Sequence, residues 1–111
     1  MKYAFLIFDE NGPESLTPEQ MTQWGAFTGE AAKVATLVSG QALRSPETAS
    51  LVSVRNGDTI VTDGPFIDTK EQLGGFLVYD CENLDVALAL AARIPSAANG
   101  HIEVRPILEF D

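Results

Sequence analysis

An α+β fold is predicted for this chain by three features of its 111 residues. Segments with strand and helix patterning follow in the order strand, helix, short strand, hairpin, strand, helix, strand. An Asn56-Gly57 pair sits between two β-rich arms. The first strand and the strand from Gly75 are apolar on both faces, so helices cover one face and something else must cover the other. This order is the split βαβ pattern of a ferredoxin-like sandwich with an inserted β-hairpin, built as a single domain over 1–111.

Each element has its own reason. Residues 3–8 place Tyr3, Phe5 and Ile7 on one side and Ala4, Leu6 and Phe8 on the other. After the turn-like stretch to Ser15, Thr17-Pro18-Glu19-Gln20 reads as a helix start: Thr17 as N-cap, Pro18 at the first position, Gln20 closing a capping box. Met21, Trp24, Phe27, Ala31, Val34 and Val38 then recur every three or four residues, which predicts one amphipathic helix ending near Ser39-Gly40, with Trp24 in the core. A short strand is expected at Gln41 to Leu43, broken at Ser45-Pro46. Ser50 to Arg55 and Asp58 to Thr62 flank Asn56-Gly57, the pair that supplies the positive φ angles of a type I′ turn. A central strand runs from Gly75 to Cys81. Asn83 caps a second helix with Leu84, Ala87, Leu88 and Ala91 on one face, closed by Pro95, and the last strand spans Gly100 to Ile107. Packing two identical chains through their helix-free faces would cover the exposed apolar side, which predicts a homodimer.

The charge excludes some partners. Seven basic residues are scattered among sixteen acids, net -9, whereas nucleic acids and anionic membranes call for clustered Lys and Arg. Neither is expected as a partner. The single Cys81 forms no internal bridge, and only six apolar residues follow Met1-Lys2, too few for a secretion signal or a span; a cytoplasmic location is expected.

Special backbone chemistry concentrates between Val61 and Phe76, where Asp63, Asp68, Lys70 and Glu71 stand beside Gly64-Pro65 and Gly74-Gly75. Two readings apply. Asp63 can turn its carboxylate onto nearby backbone N–H groups, and Asp68 can cap one helical turn through Leu73 with Glu71 reaching back. Alternatively the three carboxylates surround a pocket in which mutual repulsion raises one pKa, with Lys70 moderating it. On the last strand, His101, Glu103 and Arg105 fall on the helix-free side by alternation, where Arg105 either pairs with an acid or holds a ligand carboxylate, and His101 is structural or ligand-binding. No metal is expected: Asp-x4-Asp-x2-Glu is not an EF-hand spacing, and His101 is the sole imidazole. No cofactor is expected, since no phosphate-loop glycine pattern occurs. No nucleophile elbow occurs either, and Cys81 lies between Asp80 and Glu82, which raise a thiol's pKa.

Asp63-Gly64-Pro65-Phe66, with Asp68-Thr69-Lys70-Glu71, Leu73-Gly74-Gly75-Phe76 and Ile102-Glu103-Val104-Arg105-Pro106-Ile107, resembles the YCII-related family in its DGPF-motif branch. Met1-Lys2-Tyr3 and Trp24 are also of that type. The resemblance implies a ferredoxin-like chain that dimerises into an α+β barrel. It implies enzyme activity where a His on the first helix is joined by an Asp after the second, one branch being similar to chloro-muconolactone-type dehalogenases. This sequence has no His between Thr17 and Ser39, and Ala91-Ala92-Arg93-Ile94-Pro95 carries no acid, so the dyad is absent. DGPF-type chains also resemble modules encoded with or fused to bacterial extracytoplasmic sigma factors. The expectation is therefore a dimeric bacterial domain with a polar pocket for a small organic molecule, lined by Asp68, Lys70, Glu71 and His101. One alternative is a lyase, isomerase or dehalogenase using Asp63 as acid or base and Arg105 to hold substrate. Another is a regulatory or interaction module without chemistry.

Overall fold

The apolar run at the start of the chain forms β1 (Lys2–Asp9), the strand on which the main sheet is assembled. A computed structural model describes residues 1–64 and 70–110. After β1 come α1 (Pro18–Ala31), β2 (Thr36–Ala42), β3 (Ser50–Arg55), β4 (Asp58–Asp63), β5 (Gln72–Asp80), α2 (Leu84–Ala91) and β6 (His101–Pro106). The fold is mixed α+β with antiparallel sheets: four strands in the order β2-β5-β1-β6, and β3 with β4 as a separate pair.

Alternation along β1 sorts the two faces of the sheet. Tyr3, Phe5 and Ile7 are buried, and Phe5 lies opposite Leu77 on β5 and Val104 on β6. These residues meet Phe27 and Ala31 of α1 and Ala87, Leu90 and Ala91 of α2 in one core. Tyr79 ties it together, with edge-on ring contacts to Phe5 at 5.7 Å and Phe27 at 6.4 Å. Such pairs add roughly 0.5–1.5 kcal/mol each beyond the area they bury. On the other face Ala4, Leu6 and Phe8 stay half-buried beside Phe76 and Val78, and among the described residues no helix covers them.

Local chemistry sets several boundaries as expected. The Thr17 hydroxyl accepts from the Gln20 N–H at 3.1 Å, and the Gln20 side chain accepts from the Thr17 N–H at 2.8 Å, a complete capping box with Pro18 at the first helical position. The Asn83 side chain accepts from the Val86 N–H at the start of α2. Asn56 and Gly57 take φ of 52° and 82°, which joins β3 to β4 through a tight turn.

Other boundaries differ from the expectation. The first helix stops at Ala31 rather than near Ser39, and Thr36 to Ala42 is strand, of which the expected Gln41–Leu43 strand is only the end. Val34 lies in the turn that ends α1, its N–H donating to the Ala31 carbonyl at 3.0 Å, while Val38 falls in β2, where the open edge of β5 captures the segment. Met21 is 58% exposed, not core. On α2, Leu84 and Leu88 are exposed while Leu90 is buried, because Ala87, Leu90 and Ala91 form the stripe that meets the sheet. The helical turn expected through Leu73 does not form at its end, since Gln72 and Leu73 already pair with Asp9 and Phe8 as strand.

The β3–β4 arm stands apart. Val52, Val54 and Val61 are about 60% exposed, at 66%, 58% and 61%. A radius of gyration of 15.9 Å exceeds the roughly 13–14 Å of a compact chain this long, as a projecting hairpin requires.

Candidate functional site

Where β1 ends, the chain turns through Asn11-Gly12-Pro13 before entering α1, and the carboxylate of Asp9 organises that turn. One of its oxygens accepts from the Gly12 N–H at 2.6 Å, and the other accepts from the Ser96 hydroxyl at 2.9 Å. Ser96 is buried in the short 3-10 turn Pro95–Ala98, which leads into β6. Gly12 takes φ of 70°, a conformation that a side chain disfavours, and so permits the sharp exit.

This polar knot closes one end of a cavity of about 360 Å³ on the helix-facing side of the sheet. Ile7, Leu37 and Leu77 form its floor, Leu16 and Trp24 its wall, and Asp9 and Ser96 its polar end. Trp24 is half-buried, edge-on to Phe27 at 5.9 Å, so the residue expected in the core also walls the cavity. The floor depends on glycines. A Cβ on Gly40 would come within 2.7 Å of the Leu77 side chain, and one on Gly75 within 2.6 Å of the Gln41 carbonyl oxygen, so both let β2 and β5 approach closely. Gly74 performs the same service at the rim, where a Cβ would stand 3.2 Å from Pro13.

The site residues singled out in the sequence fall in several places. His101 and Glu71 come together, Nδ1 to Oε1 at 2.7 Å, and the imidazole lies flat on Phe8 with ring centres 4.7 Å apart. Lys70 pairs with Glu10 at 3.4 Å. Arg105 is exposed on β6 and pairs with Glu103 at 3.8 Å. Asp63 is exposed at the end of β4, opposite Ser50 on the projecting arm. No ion pair joins Asp63 to Arg105 among the described residues. Asp68 and the turn expected around it lie outside the described residues. Gly64, next to Asp63, takes φ of 74°, and its N–H donates to the Ala49 carbonyl at 2.7 Å, which pins the base of the arm.

Among the described residues, no three His, Cys, Asp or Glu side chains converge as metal ligands. Cys81 is buried, and burial first, then the Asp80 carboxylate, push its thiol pKa upward, the opposite of what a nucleophile needs. The cavity residues Asp9 and Ser96 belong to no motif in the sequence, the one ending a strand and the other following Pro95. The available signal was an acid at the very end of a strand, followed by a turn with a positive-φ glycine.

Comparison with known proteins adds a family. The YCII-related domain matches residues 1–111. An uncharacterized protein of Rhizobium meliloti (strain 1021) is 44% identical over a stretch covering 61% of this chain and 58% of its own length. The chain thus spans under two thirds of that relative.

Proposed function

Because the chain belongs to the YCII-related family, whose match covers its whole length, we propose that it is a small-molecule-binding domain acting as a homodimer, with the cavity between α1 and the β2–β5 edge as its binding site. The observation that carries this reading is the cavity itself: apolar walls, an aromatic side chain, and one polar end held by hydrogen bonds. Ligand sites combine these same features, and a volume of about 360 Å³ lies toward the small end of their usual range. In finer terms the fold reads as a ferredoxin-like split βαβ sandwich. The order β2-β5-β1-β6 and the helices' confinement to one face support that reading. Two copies joined through their helix-free sheets would form an α+β barrel. In that dimer Arg105, which faces the same side as His101, would meet the partner's surface and could take an acid there.

Thermal-shift screening of a metabolite library against wild type, Trp24→Ala and Ala42→Phe tests the site. Ala42 lines the cavity, so a phenyl ring there occupies it. Hits on wild type that both variants lose support the cavity. Hits that survive in both variants place binding elsewhere and defeat the reading.

A further inference from the structure

The lining of the cavity sorts ligands by charge. Among the described residues that line it, Asp9 alone is ionisable; none is Lys, Arg or His. An anionic ligand would therefore sit, partly desolvated, beside a carboxylate with no cation among the described lining residues to compensate. The neighbouring bowl, lined by Glu10, Glu14, Glu47, Arg44 and Lys70, offers no relief. Among the described residues its cations are Arg44 and Lys70, each beside an acid: Arg44 pairs with Glu14 at 2.6 Å and Lys70 with Glu10 at 3.4 Å. The chain's net charge of -9 adds a long-range bias of the same sign.

A cation meets the opposite situation. Asp9 accepts from Gly12 and Ser96, one donor on each oxygen, and a carboxylate has about four acceptor positions, so capacity for roughly two more donors remains at the cavity's polar end. Those two donors also fix the carboxylate's orientation, so it needs no reorganisation to receive an ammonium group. The indole of Trp24 walls the same cavity, and an aromatic face attracts ammonium through its quadrupole. The apolar floor of Ile7, Leu37 and Leu77 then takes a hydrocarbon body.

Resting on the cavity assignment above, we infer that the ligand class is a small organic amine with its ammonium group on Asp9 and its carbon skeleton against Trp24. Carboxylates and phosphates are excluded.

Three probes on one skeleton test this: 2-phenylethylamine, 2-phenylethanol and 3-phenylpropionate. Each is titrated into the full chain while the Trp24 indole N–H resonance is followed. The amine is expected to bind about tenfold tighter than the alcohol, with the propionate failing to saturate, the order that attraction to and repulsion by the part-buried Asp9 carboxylate set. Asp9→Asn should bring amine and alcohol to similar affinity. Raising the salt concentration on wild type should weaken the amine and spare the alcohol, a readout that holds even if the variant folds poorly. Equal or tighter binding of the propionate would overturn the inference and leave the cavity assignment standing. Binding of the alcohol with no amine preference would do the same. If no probe of any charge moves the indole signal, both fall together.

Discussion

At Gly100 a Cβ would fall on the carbonyl oxygen of Phe8 and 2.9 Å from the Cα of Asp9. Backbone, not a flexible side-chain tip, would have to yield. The Gly100 N–H also donates to the Ser96 carbonyl at 2.8 Å, so the same residue fastens the turn whose hydroxyl reaches Asp9. Gly100→Ala should therefore cost about 1–3 kcal/mol in urea unfolding, the usual range for forced overpacking, and should weaken ligand binding at the polar end of the cavity. Unchanged stability would mean that β6 and the end of β1 separate freely. Cys81 gives a pH test. Burial raises its thiol pKa in the folded chain, so the unfolded chain loses the proton first as pH climbs. Its contribution to stability is complete below the unfolded thiol's value of about 8.5 and disappears as pH rises through the folded value. A disulfide exchange reagent at about pH 8 should accordingly react slowly with native protein and quickly in denaturant. Fast reaction of native protein would show the thiol to be accessible.

Among the elements, those set by local chemistry were legible in the sequence. The Asn56-Gly57 hairpin formed with its expected arms because its turn needs only two positive φ angles that these residues supply. The α1 cap formed for a similar reason, its partners being three residues apart. Removing the hydroxyl in Thr17→Ala should cost about 1 kcal/mol in thermal or urea unfolding, whereas Thr17→Ser should cost little. Equal loss from both would trace the effect to packing of the threonine methyl. The end of α1 was not legible. Val34 and Val38 continue the helical spacing of α1, and only pairing with β5, some forty residues later in the chain, overrides it. The site suffered the same limit more severely. Asp9 and Ser96 are 87 residues apart, and no local pattern announces that the fold will join them. His101 meets Glu71 because β1 pairs with β6 on one side, Phe8 opposite His101, and with β5 on the other, Asp9 opposite Gln72, a juxtaposition that no local pattern announces.

For the whole molecule, the question is what covers the sheet's second face. Leu6, Phe8, Phe76 and Val78 lie there in the two central strands, rimmed by Glu103 and Arg105 on β6. The proposed dimer buries this patch against its own copy, the self-complementary arrangement that a twofold axis demands. Leu6 sits centrally, opposite Phe76 on one side and Glu103 on the other. Leu6→Glu would thus bring two carboxylates toward the axis without disturbing the helix-facing core, and light scattering at micromolar concentration should report one chain for the variant and two for wild type. Charge supplies an independent check. Two copies carry twice -9, or -18, so association driven by apolar burial works against repulsion. Raising ionic strength from about 0.01 to 0.1 M shortens the screening length from ~30 to ~10 Å and should strengthen the wild-type dimer. Dimers that instead dissociate as salt rises would be held by ion pairs, Arg105 first among them, and not by the grease of the central strands.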